Sequence, residues 1–341
     1  MPFLARACLC LVLAGFPAWA GDGFPGKTWE QAASAEAAGW SEAKLAAADS
    51  YAGKLQTDAY LLVDHGLIVH RYGDCAKPIN IHSMRKSILS VLMGIYSDRG
   101  KVVLGKTLAD LDINDKVKLT AAERQATVQQ LLQARSGVYL PAAYETRDMA
   151  EARPARGSFP PGAHWYYNNW DFNALGTIFK TFTGKNVFEA LDDDLAKPLQ
   201  FEDFNKARDT QFWFEPQSEH PAYLMRLSAG DMARIGLLMA RDGKWKDQQI
   251  VSAGWVTEST RSYSDTGNPG RGYGYLWWVR PGTHGYSANG HKGQILIVNP
   301  ASDVIIVHLV DTDHGSRRKV SNGQLSMLLQ LIMSAKLAKN K

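Results

Sequence analysis

The chain has 341 residues, 45% of them hydrophobic and 21% charged, an ordinary globular composition with room for one large or two modest domains. Its formal charge of +4 is small, and no basic run is interleaved with aromatic residues, which excludes nucleic-acid binding as a working reading. Ten Trp and thirteen Tyr leave two readings open: aromatic walls of a cleft, or plain core and surface filling.

Residues 1–20 read as a signal peptide. Arg6 supplies the positive start, 7–16 is an apolar stretch too short to span a bilayer, and Ala18-Trp19-Ala20 is an A-x-A cleavage site before Gly21. The expectation is a periplasmic or secreted protein, cleaved after Ala20, with no stable membrane insertion afterwards. Cys8 and Cys10 leave with this leader, so Cys75 stands alone and no internal disulfide is possible. The nine histidines show no H-x-H or H-x-x-H spacing, so no metal site is expected, and no cofactor is implied.

Helices are predicted over 29–38 and 42–55. Ala59-Tyr60-Leu61-Leu62-Val63 and Leu67-Ile68-Val69-His70-Arg71-Tyr72 are β-rich runs around a short Asp64-His65-Gly66 turn, which predicts a hairpin. A loop over 73–78 leads to a strongly apolar helical run, Ile88-Leu89-Ser90-Val91-Leu92-Met93-Gly94-Ile95-Tyr96. From about 107 to 245 the pattern is mostly helical, with helices over 128–133 and 172–182 and another opening at Ser228-Ala229-Gly230-Asp231. Between them runs a long polar loop, 137–163, with Pro141, Pro154, Pro160 and Pro161; a loop of that length is a lid, a cleft wall or disorder. Strands return at 273–279, 294–298 and 304–310, and a last amphipathic helix covers about 324–337. The expected fold class is α/β (α+β): one antiparallel sheet built from both chain ends, with a mainly helical part inserted. The expected division is 21–80 plus 246–341 for the sheet domain and 81–245 for the helical domain, with the active site between them.

The apolar helix is headed by Ser83-Met84-Arg85-Lys86. One helical turn separates i from i+3, so Ser83 and Lys86 share a face. A buried, neutral lysine can take the proton of a serine hydroxyl, and a helix N-terminus suits a developing oxyanion. The competing reading is a plain N-cap serine. Two other S-x-x-K matches exist, Ser41 to Lys44 at an exposed helix start and Ser316 to Lys319 in a basic loop. Only Ser83 heads a helix apolar enough to be buried.

Two further elements carry chemistry. In His164-Trp165-Tyr166-Tyr167-Asn168-Asn169-Trp170 a phenol and a carboxamide stand two apart. A tyrosine beside a Ser/Lys pair can pass a proton to a leaving group, and the amide can hold the lysine or a substrate carbonyl. The alternative is an aromatic hinge packing the next helix. In Ala288-Asn289-Gly290-His291-Lys292-Gly293-Gln294 the glycines let a backbone pass close to a ligand, where a strand N–H can complete an oxyanion hole.

Taken in order, these three elements resemble the penicillin-recognising serine hydrolases: serine β-lactamases, DD-peptidases and related esterases and amidases, with S-x-x-K, Y-x-N and K-T-G or a variant. The resemblance runs from about residue 55 to the C-terminus. Val128-Gln129-Gln130-Leu131-Leu132 with Ser136-Gly137, Pro161-Gly162, Ala229 to Arg234 and Trp277-Trp278 also look like the family. The Gly290-x-x-Gly293-Gln294 turn is most similar to the class C-type branch that holds 6-aminohexanoate-dimer hydrolase. The resemblance implies a β-lactamase/transpeptidase-like fold, Ser83 as acylated nucleophile and Lys86 as its base. Two registers fit Y-x-N, at Tyr166 and at Tyr167. The second is chosen because it sets Gly176 where the family's next helix has a small residue, making Tyr167 the proton relay and Asn169 a substrate-binding residue. The K-T-G slot falls on Ala288-Asn289-Gly290, with Gly290 against substrate. The backbone N–H groups of Ser83 and His291 then form the oxyanion hole. Tyr139 or Tyr144 is expected to cover the acyl group. Ala288 replaces the lysine that helps bind the substrate carboxylate in β-lactamases, so an ester or simple amide is the expected substrate. The alternatives are a β-lactam or peptidoglycan substrate, or a catalytically silent ligand-binding member.

Overall fold

The computed structural model describes residues 23–313 and 319–338. The proposed leader therefore lies outside the described residues, as does Ser316 of the third S-x-x-K match.

The main sheet joins the two ends of the chain. Its strands are β1 (Ala59–Asp64) and β2 (Leu67–Gly73), then β8 (Ser264–Asp265), β9 (Gly272–Tyr273), β10 (Trp278–Val279), β11 (Tyr286–Asn289), β12 (Ile295–Asn299) and β13 (Val304–Leu309). The order is β2-β1-β13-β12-β11-β10-β9-β8, and every pairing is antiparallel. Antiparallel neighbours need only short turns, and β1 and β2 are joined through His65-Gly66 as the apolar runs predict. A three-stranded sheet, β3 (Ile79–Asn80), β5 (Ala222–Leu227) and β4 (Thr210–Trp213), and the hairpin β6 (Lys244–Trp245) with β7 (Gln248–Gln249) complete the described strands.

Both faces of the sheet centre are covered. Helices α1 (Glu42–Ala52) and α10 (Asn322–Ser334) bury Leu45, Leu328 and Ile332 with Trp40 against Tyr60, Leu62, Val304 and Ile306. The alternate residues Leu61, Val63, Ile305 and Val307 belong to the larger core on the other face. That core takes in α2 (Met84–Asp98), α5 (Asn169–Thr183), α8 (Ala229–Ala240) and α9 (Ala253–Ser259). Each fully buried Leu, Ile or Val contributes roughly 1.5–3 kcal/mol, so the two cores hold the sheet from both sides. The remaining helices are short: α3 (Val128–Leu132), α4 (Arg147–Ala152), α6 (Val187–Ala190) and α7 (Lys206–Asp209). Helix α8 packs on β1, β12 and β13, so a helix from the middle of the sequence supports the sheet.

Three expectations are corrected. The 29–38 segment is not a helix. Ala32 N–H donates to Ile68 O and Ile68 N–H to Glu30 O, so the edge of β2 takes its backbone groups, and only a single 3-10 turn forms at Glu36–Ala38. The 273–279 strand is two strands, because the chain reverses between β9 and β10 with Leu276 at φ 63. The helical middle contains β4 and β5, which pair with β3 from just before it; the alternating exposure along β4 is that of a strand with one open face. The long loop carries α4, which Thr146 caps through Met149 N–H.

Candidate active site

Helix α2 is buried on all sides from Met84 to Tyr96, as its apolar sequence requires. Across 79–96 Ser83 is the single residue that is not buried. It sits at the N-cap, yet its hydroxyl makes no capping bond. The hydroxyls of Ser41, Ser228, Ser252 and Ser321 all accept a backbone N–H from their own helices. Ser83 Oγ instead lies 2.8 Å from Lys86 Nζ, which is itself 2.9 Å from the Tyr167 phenol oxygen.

Lys86 is 1% exposed, and no ion pair of the described residues includes it. Burial, with a smaller push from the Arg85 charge, holds its amine well below the ordinary lysine value. The rings of Tyr167 and Phe172 lie 4.6 and 4.8 Å from Nζ, contacts that favour an ammonium. Such contacts contribute about 2 kcal/mol when desolvated. An unpaired buried charge costs several kcal/mol, so the neutral amine wins. Burial pushes the Tyr167 phenol up, against weaker opposing pulls from Ser83 and Arg85, and it too is neutral near pH 7. A neutral amine can accept a proton from a serine hydroxyl, and a neutral phenol can donate one.

Tyr166 and Tyr167 go to opposite sides of an extended segment. Tyr166 is tied down by its N–H to Ala134 O, and its hydroxyl donates to Met149 O at 2.6 Å. The Tyr167 ring packs on Phe172 at 4.9 Å and stacks on Trp278 at 5.5 Å. Asn168 caps α5, accepting from Trp170 N–H and donating to Val138 O at 2.7 Å. Asn169 is buried, and its amide donates to Tyr144 O at 2.7 Å. It therefore buttresses the Tyr144 segment, and among the described residues no hydrogen bond joins it to Lys86.

Tyr144 stands at φ 63 with its hydroxyl 2.9 Å from His82 Nδ1. Tyr139, the other lid candidate, packs edge-on against Phe159 and Tyr166, away from His82. His82 itself has φ 47, a conformation uncommon outside glycine, in the residue directly before Ser83. Four neighbours fix it. Its N–H donates to Asn80 Oδ1, its ring reaches Tyr144 and, at 2.7 Å, Thr312 Oγ1, and His291 meets it edge-on at 5.9 Å. Burial first, then His291, drives its pKa down to about 3, so the ring is neutral.

Gly290 ends β11 beside this turn. A Cβ placed there would lie 2.6 Å from Ile81 O, so only glycine lets the strand end approach the chain leading into Ser83. Gln294 sets the turn: its side chain donates to Val310 O at 2.5 Å and accepts from Val310 N–H at 2.9 Å. Among the described residues the backbone N–H groups of Ser83 and His291 have no acceptor. Ala288 lies in the core. The sequence reading gave no role to His82, Arg85 or Thr312, and quoted Trp278 and Gln294 without one. His82 and Arg85 stand within the serine motif; Thr312 arrives from a distant element.

The sequence model of the family described as Beta-lactamase matches residues 38–329. A candidate 6-aminohexanoate-dimer hydrolase from Bacillus anthracis superposes with a TM-score of 0.63 at 19% identity, covering 84% of this chain and 80% of that one. A penicillin-binding protein homologue from Caulobacter crescentus gives 0.64 at 15% identity, over 86% and 97% of the two chains. A β-lactamase from Mycobacterium bovis gives 0.59 at 18% identity, over 84% and 97%. No curated protein sequence matches the chain. At these identities the structural likeness carries the fold, an antiparallel sheet flanked by helices.

Proposed function

The chain belongs to the Beta-lactamase family, and from that premise we propose that it is a serine hydrolase that cleaves an ester or simple amide through an acyl-enzyme on Ser83. The reading is carried by one observation: the only unburied residue of the 79–96 stretch is a serine whose hydroxyl touches a buried lysine, itself touching a tyrosine. In the proposed reaction Ser83 Oγ attacks the carbonyl carbon as its proton passes to Lys86 Nζ. The carbonyl electron pair moves to oxygen, which the N–H groups of Ser83 and His291 receive. When the intermediate collapses, Tyr167 protonates the departing oxygen or nitrogen and takes a proton back from Lys86. Water then attacks the acyl-enzyme, releasing the carboxylic acid and restoring Ser83. In this reading Tyr144 covers the acyl group, Asn169 holds Tyr144 through its carbonyl, and Gly290 lies beside the substrate.

Family membership also supports a β-lactam or peptidoglycan substrate, but Ala288 offers no cation for a carboxylate. A silent binding module fits poorly with a complete Ser83–Lys86–Tyr167 chain. In the proposed organisation, 21–80 and 246–341 form the sheet part and 81–245 the helical part, with the site between them. The 1–20 leader supports export; no helix among the described residues is long and apolar enough to cross a membrane.

Intact-mass measurement after a fluorophosphonate tests the nucleophile. One adduct on the wild type and none on Ser83→Ala is expected; equal labelling of both sinks the reading. A panel of p-nitrophenyl esters, short anilides and nitrocefin then ranks the substrates, with esters expected ahead of nitrocefin.

A further inference from the structure

Arg85 sits between Met84 and Lys86 on α2, with 0% exposure. Its guanidinium is held between two tyrosine rings, 5.3 Å from the centre of Tyr144 and 5.1 Å from that of Tyr223. Its single hydrogen bond donates to His82 O at 3.2 Å, and Nε and one terminal nitrogen have no partner. No ion pair of the described residues includes it. Arginine stays protonated at any working pH, so the charge is permanent. The ring contacts offset only part of the desolvation of such a group. On stability alone an apolar side chain would serve better in this position.

We propose, on the reading of Lys86 as base, that Arg85 is a positioning residue for the Ser83–Lys86 pair: its uncompensated charge keeps the proton off Lys86. Two cations buried at consecutive positions of one helix repel across a dry interior without a counter-charge, and the lysine is the one that can discharge. No carboxylate is bonded to either cation: Glu215 accepts from the Tyr144 N–H, and Asp313, which acts on His82, is paired with Arg226. Lys86 faces Ser83, Tyr167 and Phe172; Arg85 faces His82, Tyr144 and Tyr223. Tyr273 from β9 packs on Tyr167, and burial raises both phenols. Asp171 on α5 is engaged by Ser136 and Asn168 rather than by either cation, and burial pushes its carboxyl well above the usual range. The same Arg85 charge pulls in one direction on Lys86, Tyr167, Tyr223 and His82, favouring the neutral amine and imidazole.

The test is the pH dependence of acylation by p-nitrophenyl acetate, followed as the burst in the wild type, Arg85→Met and Arg85→Gln, with thermal unfolding alongside. The expected result is an acid limb moved to higher pH by about one unit or more in both variants, tenfold in proton activity, with folding retained. Folded variants whose acid limb stays at the wild-type position overturn the proposal. So does failure of both variants to fold, which makes Arg85 a structural residue. Lys86→Ala, scored by fluorophosphonate labelling, tests the base separately. Lost labelling there with an unmoved limb in the Arg85 variants removes this proposal alone; retained labelling removes the reading of Lys86.

Discussion

The Tyr167 phenol oxygen lies 2.9 Å from Lys86 Nζ, while Tyr166, its chain neighbour, is engaged with Met149 O at 2.6 Å. Two adjacent tyrosines thus make opposite predictions. Tyr167→Phe should lower kcat/KM for a p-nitrophenyl ester by ~10²–10⁴-fold, the usual loss for a proton-transfer group. Tyr166→Phe should leave kcat/KM within about tenfold, because its hydroxyl ties a loop and touches no reacting atom. Equal losses in the two variants would falsify the Tyr167 assignment.

The pH profile follows from Lys86. Its depressed pKa means the neutral amine persists to lower pH than in an ordinary lysine and is lost as pH falls through the folded value. The acid limb of kcat/KM should rise with a slope of one, from a single group titrating below the ordinary lysine value of about 10.4. A flat profile across pH 5–9 in a protein that stays folded counts against a titrating base.

Stability should show a different pH dependence. His82 and His308 are buried, with burial driving their pKa values to about 3 and about 4. Both are depressed, so each contributes stability that is full above the unfolded value of about 6.5. That stability is lost as pH falls toward the folded values. The thermal midpoint should drop between pH 7 and 4, and His308→Gln should make that drop shallower. His308 holds Gly293 O and Thr57 at 2.7 and 2.9 Å, so the variant starts from a lower midpoint at pH 7.

Two glycines separate site geometry from packing. Gly290→Ala forces a Cβ to 2.6 Å from Ile81 O and should displace one side of the proposed oxyanion hole. An activity loss of roughly 10²–10³-fold is expected, the value of one donor. Gly94→Ala meets the Trp255 ring at 2.4 Å, deep in α2 and away from Ser83. Overpacking there should remove ~1–3 kcal/mol of stability. Active-site titration should show unchanged turnover per folded Gly94→Ala molecule and reduced turnover for Gly290→Ala.

Gln294 clamps β12 to the residue after β13 through two bonds to Val310. Gln294→Leu leaves a buried N–H and C=O without partners and should cost about 1–3 kcal/mol for each. Chemical denaturation measures this loss; an unchanged midpoint would show that water replaces the amide there.

Much of this architecture was legible in the residue order. The Ser83–Lys86 juxtaposition follows from the helical period, and the apolar run to Tyr96 declares the burial that neutralises the lysine. The β1–β2 hairpin and the β12 and β13 strands follow from apolar runs and short turns. The misreadings share one cause. The 29–38 segment looks helical by local composition, but the edge of β2 satisfies its backbone. β3, β4 and β5 are short strands that exist because they pair across a long chain separation.

The sequence by itself determined which serine and lysine share a helix face, because that proximity spans three residues and is set by backbone geometry. Only the tertiary structure decided which tyrosine completes the chain, since Ala134 and Met149 hold Tyr166 away. It also decided why position 290 is glycine and what surrounds Arg85: Ile81 comes from before α2, Tyr144 from the long loop and Tyr223 from β5. These contacts form only when the sheet, α2 and the middle segments close on one another, and no local period encodes them.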